Sequence, residues 1–502
     1  MVDRGAGMAE VDETPLSVRK AQDFAQWYLE VIDRAGLIDK RYPIKGMKVW
    51  TGYGWKVIRL MDDLIRAHLD ADSHQEVNFP LLIPQTEFAK EADHIKGFGS
   101  EVYWVTRAGD NDLDVPLLLR PTSETAMYPM FSLWVRSHAD LPLRTYQLVN
   151  TFRYETKATR TFIREREIHF FEAHTCHADF EDAEAQVRSD LQIMETFAEQ
   201  LALPYRVSRR PEWDKFAGAD YSLAVDAYLP SGRTLQVGSI HQYRENFSRP
   251  YNIAYETADG ARAFVHQTTY GMSERLLGAI VGLHGDDRGL VLPPLVAPIQ
   301  VVMVPIFRKH NREEIVGKAR ALIDGPLASA RLRGQPLRIH LDDRDIRPGP
   351  KFFEWELKGV PLRVEVGPRD LDNRTVLAVR RSDGAKQPLQ LSHLAEEVVA
   401  QLMTVHTQLL EAAAAVRAKD EHHLAVLPSK GADFVGIATA HWCGAQPCAL
   451  RVEELVEGSV LGARVEQTGS STTPTDVHPP SGATCVSCGG AATKVVSVAR
   501  TY

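Results

Sequence analysis

The chain has 502 residues, a quarter of them charged, and a formal net charge of −8. This length predicts two to four domains, and the negative balance excludes a protein that coats nucleic acid through bulk charge, although local basic surfaces remain possible. No apolar run reaches the roughly 18 residues that a membrane span needs. The N-terminus is acidic and polar, unlike a secretory signal, so we expect a cytoplasmic enzyme.

Helices and short strands alternate over the first 290 residues or so. Apolar spacing predicts an amphipathic helix over residues 17–35 and a second helix over 55–70. The run EVNFPLLIP indicates a short strand, and because Pro80 lacks a backbone donor this strand should lie at a sheet edge or an interface. Further along, the pattern predicts a long helix over 180–203, short strands with an LPSGRT hairpin over 221–270, and a helix over 272–284.

A proline-rich stretch at 291–298 marks the first domain boundary. Beyond it, apolar strands alternate with helices, which predicts a small α/β domain with a largely parallel sheet. A helix over 391–418 leads into a third region, whose segment 469–482 has the composition of a flexible loop. The expected domains are 1–297, 298–405 and 406–502.

The stretch FRYETKATRTFIREREI, residues 152–168, concentrates paired charge on what the pattern predicts to be two strands and their turn. Side chains alternate along a strand, so the arginines would share a face, and clustered guanidinium groups suit a polyphosphate. Glu155 and Glu167 would orient them. Arg275, in GMSERLLG, is predicted to begin a helix after a glycine turn. The alternative is a solvated hairpin with surface ion pairs.

These strings resemble a known family. FRYE and FIREREI followed by EAHT resemble motif 2 of the class II aminoacyl-tRNA synthetases, GMSER resembles motif 3, and NFPLLIP resembles motif 1, whose proline lies at a dimer interface. More narrowly, RYPIKG, EADHIKGF, EVYWVT, LRPTSET, RPEWDKFAGADY and HGDDRGLVLPP resemble the prolyl-tRNA synthetases of the archaeal and eukaryotic type. The resemblance covers residues from about 17 to 405.

The resemblance implies an α+β class II catalytic domain with an antiparallel sheet and helices. An α/β anticodon-binding domain and a small α/β zinc-binding C-terminal domain would follow. It also implies a homodimer formed through the region around Pro80. The implied partners are L-proline, ATP with Mg²⁺, and tRNA(Pro), and the implied reaction is ATP-driven activation of proline followed by transfer to the tRNA.

Site residues follow from the matching strings. Proline would be bound by Thr122, Glu124, Arg153, Phe170, His174 and His241. ATP would be bound by Arg153, Glu155, Arg164, Glu165, Gln236, Ser239, Ser273 and Arg275. The ammonium of proline has two N–H donors, which one carboxylate and one hydroxyl satisfy. The carboxylate of proline is already ionised, so Arg153 and Arg275 would act by positioning and charge neutralisation, without a side-chain base.

Some residues depart from the family pattern. Phe170 stands where relatives have a tryptophan over the proline ring, and Ile168 stands where many class II enzymes stack a phenylalanine on adenine. Tyr243, Arg244 and Glu245 replace a stretch that often reads leucine–glycine–glutamine in relatives. The last departure bears on the pocket rim and therefore on which amino acids the pocket rejects.

About 60 residues separate Thr175 from Gln236, which leaves no room for the editing insertion of the bacterial type. We therefore expect no cis-editing. Because a steric pocket rejects a smaller amino acid by only about 10–200-fold per methylene, we also expect misactivation of alanine.

The domain at 298–405 carries modest positive charge, since residues 301–400 hold 18 Lys and Arg against 14 Asp and Glu. The resemblance implies that DDRDIRPGPKF and WELKG read the anticodon, because unpaired bases are recognised by their edges. The candidate contacts are Arg344, Arg347, Lys351, Glu354 and Lys358. For any one of them, a solvated charged loop is the alternative.

Four of the five cysteines lie near the C-terminus as two close pairs. Cys443 and Cys448, with Cys485 and Cys488, suit tetrahedral Zn²⁺, and four thiolates leave no open position for catalysis. Free thiols are the alternative. We expect Cys176 to be a buried neutral thiol and the terminal Tyr502 to be packed.

Two other functions stay open at this stage. One is a paralogue that activates proline, or an analogue, for an acceptor other than tRNA, and the anticodon-type domain argues against it. The other is an inactive tRNA-binding or regulatory protein. The presence of Arg153, Glu155, Arg164 and Arg275 argues against the second alternative.

Overall fold

The computed structural model describes residues 13–91, 101–430, 434–466 and 474–502. Most of the string EADHIKGF and the first part of the segment 469–482 lie outside this range. The helices are α1 (Phe24–Arg34), α2 (Gly52–Ala71), α3 (Gln85–Glu91), α4 (Glu124–Trp134), α5 (Phe180–Gln200), α6 (Ser248–Tyr251), α7 (Arg275–His284), α8 (Arg312–Asp324), α9 (Pro348–Leu357), α10 (Pro368–Asp372), α11 (Leu394–Asp420) and α12 (Gln446–Val456).

The strands are more numerous and mostly short. They are β1 (Ile38–Asp39), β2 (Val49–Trp50), β3 (Gln75–Glu76), β4 (Leu82–Pro84), β5 (Trp104–Ala108), β6 (Asn111–Leu119), β7 (Leu143–Phe152), β8 (Glu167–His177), β9 (Tyr205–Arg209), β10 (Tyr221–Leu229), β11 (Arg233–Arg244), β12 (Ala254–Glu256), β13 (Arg262–Phe264), β14 (His266–Ser273), β15 (Val301–Pro305), β16 (Arg331–Leu332), β17 (Gln335–Pro336), β18 (Ile339–Leu341), β19 (Leu362–Val366), β20 (Thr375–Arg380), β21 (Lys386–Gln390), β22 (Glu421–His423), β23 (Ile437–Trp442), β24 (Ser459–Arg464) and β25 (Lys494–Thr501).

Capping residues set where the first two helices begin. Helix α1 starts at Phe24 and not at residue 17, because Asp23 is its N-cap and its carboxylate accepts the Gln26 N–H. Helix α2 starts at Gly52, where the Thr51 hydroxyl accepts the Gly54 N–H. Both helices bury the apolar side that the spacing predicted, against the sheet of the catalytic region.

The catalytic region is built on an antiparallel sheet. Strands β9, β10, β11, β14, β8 and β7 pair in that order, each antiparallel to the next, and β3 adds a short parallel edge beside β7. Helices α5 and α7 pack against the sheet, and α7 is buried almost all round. This is the antiparallel sheet with helices that the resemblance implied.

The strand expected around Pro80 is shorter than predicted. Within residues 75–84 the strands are β3 and β4, which pair with different partners, and Pro80 lies exposed in the connection between them. Strand β4 pairs with β6 in a separate three-stranded sheet. Leu81 and Leu82 are about 40 % exposed, so the segment has an apolar surface on its outer side.

The prediction that residues 152–168 form two strands and a turn is wrong in one respect. Strand β7 ends at Phe152 and β8 begins at Glu167, so the arginines between them lie in the connection and not on paired strands. One further backbone hydrogen bond follows the last paired residues of β7 and β8: the Arg153 N–H donates to the Arg166 carbonyl at 3.0 Å. An isolated bridge between Arg160 and Arg164 then closes a tight loop. The glycine before Arg275 likewise lies in β14 and not in a turn.

The second domain has a mixed sheet. Strands β18, β15 and β19 are parallel, but β20 and β21 are antiparallel additions, so the prediction of a largely parallel sheet holds only for its first half. The cause is the connection from β19 to β20. It contains only the one-turn helix α10, which is too short for the crossover that a parallel pair requires.

The C-terminal region continues the catalytic sheet. From the outer edge inward, the added strands are β22, β23, β25 and β24, and β24 pairs antiparallel with β9 of the catalytic sheet. The end of β25 also runs parallel to β11, with Arg500 opposite Arg233. Tyr502 is packed, as expected, since its hydroxyl lies 2.7 Å from the Ser231 hydroxyl. Among the described residues, no helix has both the length and the hydropathy of a membrane span.

Candidate functional site

Two adjoining cavities open above the antiparallel sheet. The first, of about 280 Å³, lies over β8, β10, β11 and β14, and the second, of about 290 Å³, lies under the loop between β7 and β8. The first cavity is lined by Thr122, Glu124, His174, Gln236, Ser239 and His241. The second is lined by Glu155, Arg164 and Glu165. Arg153, Phe170, Ser273 and Arg275 line both. All the residues predicted to bind proline and ATP therefore lie at one cleft.

A buried carboxylate with two hydroxyl donors forms one end of the first cavity. The Thr122 hydroxyl donates to Glu124 Oε2, and the Tyr243 hydroxyl donates to Glu124 Oε1 at 3.1 Å. Glu124 begins α4, directly after a turn that places Thr122 beside it. Glu124 is 3 % exposed, so an ammonium entering the cavity would meet a fixed negative charge in a dry setting.

A second buried carboxylate, Glu172, lies in the floor of the first cavity. It accepts hydrogen bonds from the Ser123 hydroxyl and from Gln147 at 2.9 Å, and it pairs with His174 Nε2 at 3.1 Å. Burial alone would raise the pKa of Glu172, but the bond from His174 and the other donors outweigh it and hold that pKa below its usual value. Tyr128 approaches the other nitrogen of His174. The histidine is thereby fixed between two partners.

Aromatic rings line the rest of the first cavity. Phe170 packs over the backbone of Gly271, where an added Cβ would lie 2.9 Å from the ring. His241 bonds Ser222 at 2.8 Å, and burial lowers its pKa to about 3, so its imidazole is neutral. Tyr243 is buried and nearly parallel to His241, with 6.1 Å between ring centroids. Of the departures from the family pattern, Phe170 therefore lines the cavity, whereas Tyr243 lies buried against the lining residue His241.

Arginines dominate the second cavity. Arg275 donates from Nε to the Ile163 carbonyl at 2.8 Å and from Nη1 to the Gln236 carbonyl at 3.2 Å. Arg153 donates from Nε to the Pro121 carbonyl at 3.1 Å, and Arg164 pairs with Glu155 at 3.0 Å. These bonds hold the guanidinium groups at the border of the two cavities, where an anion would meet several at once.

The electrostatics of this border favour an anionic ligand. Burial, together with the charges of Arg153 and Arg164, lowers the pKa of Arg275 to about 10. Burial also lowers the pKa of Arg153, although Glu101 and other carboxylates oppose the shift. Cations that are crowded and dehydrated in this way are stabilised when a phosphate or carboxylate group neutralises them.

Sequence reasoning missed several residues of the cleft. One of them is Lys48, behind the second cavity, whose ammonium bonds Glu274 and the predicted residue Glu165. Arg210 bonds Gln236 at 3.0 Å. Glu172 is the first residue of EAHT and Glu274 lies within GMSER, and both strings carried the resemblance, so a sequence signal for these two residues was available. No sequence signal pointed to Lys48.

The five candidate anticodon contacts lie around the start and the end of α9. Arg344 pairs with Asp342 and Glu354, and Lys358 pairs with Glu354 at 2.9 Å. Arg347 is the N-cap residue of α9 and is exposed. Lys351 differs, because its side chain is 1 % exposed and its ammonium donates to the Asp342 carbonyl at 2.9 Å. It is directed into the domain and not toward solvent.

The four C-terminal cysteines come together. The Sγ atoms of Cys443, Cys448, Cys485 and Cys488 all lie within 4.8 Å of one another. Tetrahedral zinc with Zn–S bonds of about 2.3 Å needs sulfurs roughly 3.8 Å apart, so the geometry fits that ion. Cys176 is fully buried in the core, and burial raises the pKa of its thiol, as expected for a neutral cysteine.

Comparison with family models covers most of the chain. Residues 103–284 match the tRNA synthetase class II core domain (G, H, P, S and T), residues 300–401 match the anticodon binding domain, and residues 433–502 match the prolyl-tRNA synthetase C-terminal model. These are the three kinds of domain that the sequence predicted, in the predicted order.

Individual relatives extend the match to nearly the full length. A proline–tRNA ligase of Thermococcus kodakarensis is 50 % identical over 96 % of this chain and 98 % of its own. The structure of Giardia lamblia prolyl-tRNA synthetase in complex with prolyl-adenylate superimposes with a TM-score of 0.89 at 33 % identity, covering 97 % of this chain and 100 % of its own. That of Cryptosporidium parvum prolyl-tRNA synthetase, complexed with halofuginone and AMPPNP, gives 0.87 at 29 % identity, covering 97 % and 99 %. The chain therefore belongs to the prolyl-tRNA synthetase family of class II aminoacyl-tRNA synthetases.

Proposed function

We propose that the chain is a proline–tRNA ligase. It joins L-proline to ATP, giving prolyl-adenylate and pyrophosphate, and then transfers the prolyl group to the terminal ribose of tRNA(Pro). One observation carries the proposal: the carboxylate and hydroxyl of Glu124 and Thr122 lie in a cavity that adjoins an arginine-lined cavity through Arg153 and Arg275. An amino acid and a polyphosphate could therefore meet at the border. The names of the relatives support the same activity.

The first cavity would bind proline. Its two ammonium N–H groups would be accepted by Glu124 and the Thr122 hydroxyl, and the ring of Phe170 would cover the pyrrolidine. His174, held by Glu172, and the neutral His241 are wall residues that shape the pocket. Tyr243 supplies a second hydroxyl to Glu124, so the pocket has one more donor at the ammonium subsite than a leucine there would give.

The second cavity would bind ATP. The carboxylate oxygen of proline attacks the α-phosphorus in line, the bond to the bridging oxygen breaks, and pyrophosphate leaves. Arg153 would contact the α-phosphate and the attacking carboxylate, and Arg275 would neutralise the leaving phosphates. Arg164, Glu155, Gln236, Ser239 and Ser273 would line the nucleotide. Glu165 would not contact ATP directly, because its carboxylate is bonded to Lys48. It would contribute by holding the loop that borders the nucleotide.

Two metal ions belong to the proposal. Glu101 and Glu155 line the second cavity, and their oxygens are the hard ligands that Mg²⁺ takes when it accompanies ATP. Bound there, the ion would neutralise phosphate charge. The four clustered thiols fit Zn²⁺ in a structural role, with no open ligand position.

The proposed division of labour assigns proline activation to residues 1–297, anticodon reading to 298–405 and structural zinc binding to 406–502. Arg344, Arg347, Glu354 and Lys358 would contact anticodon bases, with Lys351 supporting Asp342 from inside. We place the protein in the cytoplasm, where charged tRNA is used.

A homodimer is proposed through the region around Pro80. Leu81, Leu82, Met130, Leu133 and Trp134 are 38–54 % exposed. The ring of Phe79 packs 5.6 Å from that of Trp134, which brings the proline segment and α4 together. An exposed apolar surface of this kind is typical of a protein interface. Light scattering of a Leu82→Glu variant, which should be monomeric, tests it.

Fidelity would depend on the pocket alone. Residues 175–236, all within the described part of the chain, form α5, β9 and β10 with short connections and no inserted editing domain. The enzyme should therefore activate alanine, with a kcat/KM lowered by about 10–200-fold for each methylene that alanine lacks relative to proline, and should not hydrolyse alanyl-tRNA itself.

The deciding experiment combines two assays. Proline-dependent ATP–pyrophosphate exchange and charging of a tRNA(Pro) transcript are measured for the unmodified chain, for Arg153→Ala and for Arg262→Ala. The exposed Arg262 lies outside both cavities and serves as the matched control. The proposal predicts both activities in the chain and in the control, and loss of both in Arg153→Ala with its thermal unfolding midpoint retained.

The remaining outcomes distinguish the alternatives. Exchange without charging would identify a paralogue that activates proline for another acceptor. Neither activity, with tRNA still bound, would identify an inactive binding protein. Either result overturns the proposed ligase.

A further inference from the structure

Lys48 is a buried lysine behind the second cavity. It immediately precedes β2, and its side chain is 5 % exposed. Its ammonium lies 2.5 Å from Glu165 Oε2 and 2.7 Å from Glu274 Oε1. These partners belong to the loop between β7 and β8 and to the residue before α7, so Lys48 joins three segments that are far apart in sequence.

Aromatic rings cover this charge. The ammonium of Lys48 lies 4.8 Å from the ring centroid of Trp50 and 5.6 Å from that of Phe162. The two rings stack on each other, 5.0 Å apart and 9° from parallel. The cation is therefore enclosed by two carboxylates and two aromatic faces, which exclude water from it.

The two carboxylates hold the backbone that forms the cavity wall. Glu165 Oε2 accepts the Phe162 N–H at 3.0 Å, and the next carbonyl, of Ile163, accepts Arg275 Nε at 2.8 Å. Phe162 has a φ of 59°, in the left-handed region, so this loop conformation requires external support. The Glu165 contact supplies that support beside the point where Arg275 is anchored.

Glu274 fixes the other side of the same wall. Its second oxygen, Oε2, accepts the His169 N–H at 3.1 Å, which ties β8 to the start of α7. Arg275 follows Glu274 directly and is the first residue of α7. A change in the position of Glu274 would therefore move the guanidinium that lies at the border of the two cavities.

Electrostatic interactions couple the three charged groups of this cluster. Burial, and then the neighbouring Glu274, raise the pKa of Glu165. Burial opposes ionisation of Glu274 as well, but the charge of Lys48 and the hydrogen bonds that Glu274 receives together outweigh it and lower the pKa of Glu274. Removing Lys48 would leave two carboxyl groups facing each other without a cation.

We propose that Lys48 is a positioning residue for adenylate formation: through Glu165 and Glu274 it holds, from behind the second cavity, the loop and the helix start that orient Arg275. Lys48 does not line the cavity, although Glu165, Glu274 and Ile163 do. It acts on the reaction only through them. This inference rests on the proposed ligase activity.

The test compares Lys48→Met with Lys20→Met. Lys20 is another largely buried lysine, and its ammonium bonds the carbonyls of Leu283 and Gly285 at the far end of α7. In proline-dependent pyrophosphate exchange, Lys48→Met should lower kcat by about 10–100-fold, since a displacement near 1 Å can cost that much. The KM for proline should change less than about threefold, because Lys48 bonds Glu165 and Glu274 and not Thr122 or Glu124, which are proposed to hold the ammonium of proline. Lys20→Met should keep kcat within about twofold.

A second variant and a binding measurement cover the cases in which Lys48→Met does not fold or the chain shows no exchange activity. If Lys48→Met does not fold, Lys48→Arg replaces it: the wider guanidinium should shift both carboxylates and lower kcat at unchanged KM for proline. A kcat within threefold of the unmodified enzyme in the folded variant, or a loss equal to that of Lys20→Met, overturns the proposal and leaves Lys48 a stabilising residue. If the unmodified chain supports no exchange, the ligase function fails. In that case, calorimetry measures the Kd of a non-hydrolysable ATP analogue for Lys48→Met and for the unmodified chain. We expect the Kd to be at least about fivefold higher in the variant, and an unchanged Kd would contradict the role of Lys48.

Discussion

The hydroxyl of Tyr243 donates a hydrogen bond of 3.1 Å to Glu124 Oε1, so a buried side chain that does not itself line the first cavity holds the carboxylate at one end of it. The other oxygen of Glu124 accepts the Thr122 hydroxyl. The carboxylate is therefore fixed from both sides, and its remaining lone pairs face the cavity. Tyr243 is fully buried, which prevents it from exchanging this bond for water.

Tyr243→Phe should weaken proline binding. The variant keeps the ring and removes one donor, so Glu124 loses part of its fixed orientation. A bond of this kind contributes about 1 kcal/mol, and we expect the KM for proline to rise by roughly threefold to tenfold with the KM for ATP unchanged. Tyr228→Phe is the matched control, because the Tyr228 hydroxyl bonds Asp420 at 2.7 Å outside both cavities. An equal KM for proline in both variants would contradict the role of Tyr243.

The neighbouring Arg244 shows a limit of sequence reasoning. Its φ of 49° lies in the left-handed region, where glycine is favoured, which explains physically why many relatives have glycine at this position. The arginine is held by Asp220 at 2.8 Å and by the ring of Phe180 at 4.1 Å. The departure was visible in the sequence, but its compensating contacts depend on residues 24 and 64 positions away.

The strings that carried the resemblance placed the cleft residues correctly at one site, although their individual roles stay predictions. Lys48 could not be found, because its partners lie 117 and 226 residues along the chain and no local pattern connects them. The same reason applies to the C-terminal strands. The pairing of β24 with β9 depends on register between distant segments, which periodicity does not encode. The arginine loop was assigned to strands because charge alternation resembles strand alternation.

Cys485→Ser should remove one zinc ion per chain. Cys485 is 2 % exposed and completes the thiol cluster, so its loss leaves three ligands. Since structural metal binding is coupled to folding, we expect the thermal midpoint to fall by several degrees. Zinc is measured by atomic absorption, with Cys176→Ala, a thiol outside the cluster, as the control. Equal zinc in the two variants, or none in the unmodified chain, would contradict the metal site.

Asp342→Asn should lower stability at neutral pH and flatten its acid dependence. Burial would raise the pKa of Asp342, but bonds from Arg344 and from Trp355 Nε1 at 2.8 Å outweigh it and bring that pKa to about 2. A carboxyl group with a depressed folded pKa stabilises the fold above its unfolded pKa, near 4, and this contribution is lost as the pH falls toward 2.

The size of that contribution follows from the shift. A change from 3.8 to about 2 corresponds to roughly 2 kcal/mol at pH 7. Urea unfolding between pH 7 and pH 3 measures it for Asp342→Asn beside Asp343→Asn, whose carboxylate is 43 % exposed and makes one long contact with Arg320. Parallel pH profiles for the unmodified chain and Asp342→Asn would show that Asp342 does not carry the effect.

The last prediction concerns the contact between the two domains that tRNA must bridge. The side chain of Arg381 is 1 % exposed. Its two terminal nitrogens donate to the carboxylate of Asp286 at 2.7 and 2.5 Å. Its Nε donates to the backbone carbonyl of Glu356 in α9. Asp286 follows α7, whose first residue is Arg275. The helix that bears candidate anticodon contacts is thus fixed to the helix that begins with Arg275, the arginine proposed to neutralise phosphate.

Asp286→Asn should therefore reduce tRNA charging more than proline activation. Activation needs only the cleft, whereas transfer needs the tRNA to engage both domains at their fixed spacing, and a loosened contact lowers the effective concentration of the acceptor end. We expect charging to fall about tenfold and pyrophosphate exchange to change less than twofold. Asp287→Asn, which alters a neighbouring carboxylate bonded to the Lys20 N–H, is the control. Equal losses in the two assays would show instead that Asp286 supports the catalytic domain alone.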